Sequence, residues 1–148
     1  MQLIGFNLTK VYGERFPNFT KAGINNNVEF TNIEKDKIDM LKDLEALKIS
    51  FRYSLLYGDV DKPENTKPEN KQGELFFEGS LLLSATKDEA KEFHKSWKTK
   101  EVPQTALTTL YNIILRKCST KAVTLQEDLN LPSPYLKVPI LTLQEKTK

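Results

Sequence analysis

The chain predicts an α+β fold in which helices lie on one face of an antiparallel sheet. Three features of the sequence lead to this. Apolar residues alternate at a period of two in several runs before Thr86, the spacing that lines one face of a strand. These runs are joined by connections of hairpin type. After Ser84 the period becomes helical, so strands come first and helices last instead of alternating.

The totals bound the rest. A chain of 148 residues has the length of one domain, residues 1–148, and can bury roughly 70% of the surface it exposes when unfolded. With 39% hydrophobic and 28% charged residues it belongs with globular proteins, not disordered ones. A net charge of +2, with Lys and Glu intermixed, gives no overall pull towards nucleic acid. The one cysteine, Cys118, excludes an internal disulfide and fits a reducing compartment. The opening "MQLIGFNLTKVYG" lacks the basic stretch and apolar core of a signal peptide. No apolar run approaches the roughly 20 residues that span a bilayer. A cytoplasmic protein that does not insert into membranes is expected.

Taken in order, "LIGFNLTKVY" (3–12) sets Ile4, Phe6, Leu8 and Tyr12 on one side of a strand, interrupted by Lys10. The Gly-, Pro- and Asn-rich "GERFPNFTKAGINNN" then crosses over, carrying Phe16 and Phe19, and "NVEFTNI" resumes alternation through Val28 and Phe30. Residues 33–47 admit two readings. Ile33, Met40, Leu41, Leu44 and Leu47 approximate a helical stripe behind a Thr31-x-x-Glu34 capping box. The same residues also suit a twisted hairpin turning near 41–43, and the pattern leans to helix. "LKISFRYSLLYG" (47–58) is the plainest strand, with Leu47, Ile49, Phe51, Tyr53, Leu55 and Tyr57 on one face and Lys48, Ser50, Arg52 and Ser54 on the other. "GELFFEGSLLLSAT" repeats it through Leu75, Phe77, Leu81 and Leu83, with Gly79 a candidate bulge. The polar stretch between them holds "KPEN" twice and reads as a mobile hairpin loop over 58–72. Asp59 and Asp61 resemble the start of a calcium loop, but Glu64 stands where such a loop requires glycine.

Thr86-x-x-Glu89 forms a second capping box ahead of a helix with Ala90, Phe93 and Trp97 on one face, and Lys98 and Lys100 close to its end. Pro103 suits the first turn of another helix. Its stripe is Leu107, Leu110, Tyr111, Ile114, Leu115 and Cys118, continuing through Ala122, Leu125 and Leu129 until Pro132 and Pro134 stop it.

Catalytic chemistry finds little to work with. His94, the one histidine, lies beside the apolar face of a lysine-rich helix and reads as a surface imidazole. Cys118 reads as a buried core residue. One His and one Cys cannot make a structural zinc site unaided, and no phosphate-cradling glycine loop occurs. The basic and aromatic "KEFHKSWKTK" looks like a stacking platform for nucleic acid. Its Phe93 and Trp97 fall at core-facing spacing, however. The expectation is therefore no enzyme, no metal, no cofactor and no nucleic acid.

What remains is apolar material in irregular segments: Phe16, Phe19 and Ile24 before the second strand, and Leu131, Tyr135, Leu136, Val138, Ile140 and Leu141 after the last helix. These side chains either cap the ends of the core or flank a groove able to accept extended peptide.

Three passages are similar to the SecB-like chaperones: "VYGERFPNF", the hairpin "ISFRYSLLYGD…GELFFEGSLLL", and "VPQTALTTLYNIILRKC" leading to "LNLPSP". The resemblance implies a four-stranded antiparallel sheet with long C-terminal helices, and it turns residues 28–47 towards a long second strand. It also implies a homo-oligomer, a dimer of dimers, that holds unfolded or non-native polypeptide without ATP, in protein export or in guarding an antitoxin. The groove-lining positions it implies are Phe16, Phe19, Ile24, Leu131, Tyr135, Leu136 and Ile140. Two rival readings stand beside it: an oligomeric adaptor for one folded partner, and a small hydrolase of hotdog type that would use His94 or a carboxylate.

Overall fold

The computed structural model describes residues 1–36 and 43–133. Strands β1 (Gln2–Arg15), β2 (Gly23–Lys35), β3 (Leu44–Gly58) and β4 (Gly73–Thr86) precede helices α1 (Lys87–Trp97) and α2 (Gln104–Asp128). The strands form one antiparallel sheet in the order β1-β4-β3-β2, with the helices packed on one face. This is the α+β architecture that the order of periodicities predicts.

The two central strands supply the core because their alternation is unbroken. Leu47, Ile49, Phe51, Tyr53, Leu55 and Tyr57 all point towards the helices and are fully buried. On the neighbouring strand they meet Leu83, Leu81, Gly79, Phe77, Leu75 and Gly73 respectively. The rings of Tyr53 and Phe77 stack at 5.9 Å. On the reverse face Arg52 pairs with Glu78 at 3.3 Å and lies over the Phe76 ring at 4.2 Å.

Within 33–47, the described residues 33–35 and 44–47 depart from the helical lean. Ile33, Glu34 and Lys35 extend β2 and pair with Ile49, Lys48 and Leu47, while Leu44–Leu47 opens β3. The pairing satisfies backbone groups and places Ile33 in the core at 5% exposure, a tertiary gain that a local helix stripe cannot match. Met40 and Leu41, part of that stripe, lie outside the described residues.

β1 also departs from simple alternation. Extra residues at Ile4 and Thr9 shift its register against β4, and each bulge moves the following side chains to the other face. Leu3, Phe6 and Leu8 therefore face the core, Ile4 is 44% exposed, and Tyr12 turns to the reverse face, where it stacks on Phe76 at 4.8 Å. The bulge expected at Gly79 lies instead in the partner strand opposite it. A Cβ on Gly79 would stand 2.2 Å from the carbonyl oxygen of Asn7, so only glycine lets β1 pass this closely. β2 carries its own extra residue, Thr31, beside Phe30 and Phe51. Both edge bulges thus adjoin one row across the sheet: Leu8, Gly79, Phe51 and Phe30.

Between β3 and β4 each "KPEN" makes one short 3-10 turn, Pro63–Asn65 and Pro68–Asn70. Thr66 fastens the first of them: its hydroxyl accepts from the Asp59 amide at 2.9 Å and donates to the Pro63 carbonyl at 2.7 Å. The α1 capping box is present in both directions, Glu89 N–H to Thr86 Oγ1 at 3.2 Å and Thr86 N–H to Glu89 Oε1 at 3.0 Å. Along α2 the fully buried line is Ala106, Leu110, Ile114, Cys118, Ala122 and Gln126, a four-residue row whose small members let the helix approach the sheet closely.

The path of α2 positions everything that follows. Near its start Tyr111 stacks on Phe30 of β2 at 5.7 Å. Near its end Leu125 and Leu129 lie over Gly13 of β1, where an added Cβ would meet Leu129 Cδ1 at 3.0 Å. The helix therefore crosses the sheet diagonally, from the β2 edge to the β1 edge.

Candidate functional site

A diagonal helix leaves corners of a rectangular sheet without a helical roof. One corner lies at the end where β1 finishes and β2 begins. Here residues 16–22 run across the sheet end, past the close of β3 and the opening of β4. Their backbone is pinned: Phe16 N–H donates to the Gln72 carbonyl at 3.0 Å, and Phe19 N–H to the Phe16 carbonyl at 3.1 Å. Gln72 serves both sides, accepting from the Thr20 amide at 2.9 Å and donating to the Lys21 carbonyl at 2.9 Å. Asn18 donates to the Lys71 carbonyl at 3.1 Å.

Tyr57 is the hub of this corner. It pairs with Ile24 on one side and Gly73 on the other, and the Phe19 ring meets it edge-on at 6.4 Å. Its hydroxyl donates to the Pro132 carbonyl at 2.6 Å and accepts from Gln126 Nε2 at 2.8 Å. The Gln126 side chain is fully buried, and its Oε1 has no hydrogen-bond partner among the described residues. Burial pushes the Tyr57 phenol above its ordinary range, and the hydrogen bond from Gln126 opposes that shift. Arg15 closes the other side: its guanidinium lies 4.4 Å from the Phe19 ring centre and donates to the Leu129 and Asn130 carbonyls at the end of α2. That placement puts a cation against both a ring face and the carbonyl end of a helix.

The corner gathers four of the residues singled out from sequence. Phe16, Phe19 and Ile24 are half-buried on it. Leu131 is 6% exposed and packs over Gly73, so it forms the floor beside Tyr57 and not an open wall. Tyr135, Leu136 and Ile140 lie outside the described residues; the last described residue, Ser133, directly follows Pro132 at this corner. Reading the sequence missed Tyr57, Gln126, Gln72 and Arg15 as parts of the site. A glutamine at the end of an otherwise apolar four-residue row was the signal available for Gln126.

Other surfaces differ in kind. An open cleft of about 500 Å³ beside α2 on the β1 side is lined by Val11, Thr120, Lys121, Thr124 and Leu125. On the reverse face, the row of edge bulges borders a polar cleft of about 420 Å³ that includes Thr9, Lys48, Ser50 and Glu78. Its charges are already paired, Lys48 with Glu34 at 3.8 Å and Glu78 with Arg52. His94 is exposed on α1. Cys118 is buried, and desolvation pushes its thiol up to about 11. Among the described residues no group of three or more His, Cys, Asp or Glu could hold a metal ion, and no helix is long and apolar enough to cross a membrane.

Fold and site together define an α+β protein with an apolar, partly uncovered corner at one end of its sheet. No protein-family model matches the chain, and no curated protein is similar to it at a significant level. Among solved structures it is similar to a SecB-like chaperone of Mycobacterium tuberculosis in complex with a peptide from an antitoxin, at 17% identity over 97% of this chain and 92% of that one, with a TM-score of 0.43.

Proposed function

We propose that this protein is an ATP-independent holdase that keeps non-native polypeptide in solution by holding extended apolar segments against the corner around Tyr57. The observation that carries the reading is that Phe19 and Ile24 both lie half-buried against Tyr57 at the sheet end, with half-buried Phe16 joined to Phe19 through its backbone carbonyl. The clients are unfolded chains. Phe16, Phe19 and Ile24 form the contact surface above Leu131, and Tyr135, Leu136 and Ile140 belong to the same site. Covering one large apolar client side chain contributes roughly 1.5–3 kcal/mol. A few such contacts, less the cost of ordering the client, give weak binding at one site. Assembly as a dimer of dimers, acting in the cytoplasm in protein export or quality control, repeats the site and raises avidity through effective concentration.

The test is suppression of aggregation of several unrelated unfolded proteins at near-stoichiometric ratios. Protection is expected from the native chain and should fall several-fold in a Phe19→Ser/Ile24→Ser variant that keeps its fold by circular dichroism. Protection of no client at all would end the proposal. Binding to one protein with indifference to the others would instead describe an adaptor for one specific partner.

A further inference from the structure

We propose that the exposed face of α1, with the Trp97–Lys100 pair at its end, binds single-stranded nucleic acid through backbone phosphates and one stacked base, independently of the corner around Tyr57. Three observations lead here. The first is charge. At 3.6 residues per turn, Lys87, Lys91, His94, Lys95 and Lys98 fall within an arc of roughly 100°, and all five are exposed. The opposite arc, Ala90 and Phe93, is buried in the core. Glu89 is engaged by the capping box and by the amino group of Met1, and Asp88 and Glu92 border one side of the stripe. Among the described residues none of these lysines is in an ion pair. A row of unpaired cations along roughly 16 Å of helix attracts a polyanion.

The second is an open ring. By spacing, Phe93 and Trp97 share a core-facing stripe, but the structure separates them. Phe93 is 3% exposed, whereas Trp97 is half-buried and carries the Lys100 ammonium 5.0 Å from its ring centre. The cation can lie there only because the core leaves that ring face uncovered, and a base can stack in its place. The third is backbone strain. Lys100 has a φ of 60°, the left-handed region that glycine occupies best. Its N–H donates to the Trp97 carbonyl at 2.9 Å, and the Glu101 N–H reaches back to the Ser96 carbonyl at 3.2 Å. Glycine is the usual residue in such a closing turn, yet here the position holds the lysine that covers Trp97. An anionic bilayer would meet the charges, but α1 cannot insert, because its apolar face is already buried. An acidic peptide would match the lysines and leave Trp97 without a flat partner. Single-stranded nucleic acid supplies both phosphates and unpaired rings.

The experiment titrates the full chain into a labelled oligouridylate about a dozen nucleotides long, at salt from about 50 to 200 mM. Binding is expected at micromolar concentrations up to about 100 μM near physiological salt. Five lysine–phosphate contacts, from Lys87, Lys91, Lys95, Lys98 and Lys100, would make the affinity fall as about the −3.5 power of salt concentration. Trp97 is the one tryptophan of the chain, so stacking should appear directly as quenching of its fluorescence. Lys87→Gln, Lys91→Gln and Lys98→Gln together should weaken binding and bring the exponent to about −1.4. Lys100→Gly should keep or raise the urea midpoint, since it relieves the turn, and yet bind several-fold more weakly. No binding at the lowest salt overturns the proposal, as does binding without quenching or binding that the triple variant keeps in full. Polyglutamate and vesicles of mixed phosphatidylserine and phosphatidylcholine serve as competitors. If either binds as tightly as the oligonucleotide, the stripe is a surface for acidic polypeptide or for membrane, and the proposal fails. Suppression of aggregation should be the same in the triple variant and the native chain. A loss of protection there would make the stripe a client contact and overturn its independence of the corner.

Discussion

Tyr57 shows how much can depend on one side chain. Its hydroxyl both donates to Pro132 and accepts from Gln126, so Tyr57→Phe strips a partner from the fully buried Gln126 amide and from the carbonyl of Pro132, an exposed residue. Leaving the buried amide unpaired costs about 1–3 kcal/mol, which should appear as a lower urea midpoint. Gln126→Met should cost less, because with the Nε2 donor it also removes an acceptor, Oε1, that has no partner among the described residues, and it should soften the effect of Tyr57→Phe when the two are combined. The same neighbourhood of buried protons predicts a response to alkali. The Cys118 thiol is pushed from 9.0 up to about 11, and the Tyr57 phenol is raised from 10.0. Unfolded chains release both protons first. The stability tied to the thiol is therefore complete below pH 9.0 and is lost as pH rises through about 11. A thermal melt series from pH 8 to 11 should decline over that window, less steeply in Cys118→Ala. At pH 8, thiol labelling of the native protein should be slow until denaturant is added.

At the scale of the element, close approach and capping set what each strand and helix tolerates. Gly79→Ala would drive a Cβ to 2.2 Å from backbone of the neighbouring strand; the edge strand must move, and a loss of about 1–3 kcal/mol or more is expected. Gly13→Ala meets the tip of a leucine side chain at 3.0 Å and should cost clearly less. Denaturant midpoints of the two variants rank them directly. Thr86→Ala removes one arm of the α1 capping box, worth about 1 kcal/mol, and the helical signal should weaken accordingly. The central strands and both helices were legible because their apolar periods run unbroken over many residues. Residues 33–47 were not, because the helical stripe there is local, whereas the strand is fixed by pairing with residues 47–50. β1 was half legible: nothing in "LIGFNLTKVY" announces which residues are extra, and the bulges at Ile4 and Thr9 follow from how β4 lies against it.

Across the whole molecule, the sheet order β1-β4-β3-β2 puts the first two strands on opposite edges and obliges residues 16–22 to travel the full width of the sheet end. That crossing brings Phe16, Phe19 and Ile24 together with Leu131, residues more than a hundred positions apart in the chain. Sequence could mark these side chains as apolar without regular structure, but not that Leu131 would sink to the floor or that Tyr57 would link them. Amide exchange should be slowest in β3 and β4, which are paired on both sides, and faster in the edge strands. The interruptions at Thr9 and Thr31 also bear on how copies of this protein meet in a crowded solution. An uninterrupted strand margin is a template along which molecules zip into endless ribbons. Here each margin is broken beside the same row, so a neighbour that falls into step on one stretch is out of step on the next. A protein that carries grease at one end can thus remain dispersed at high concentration.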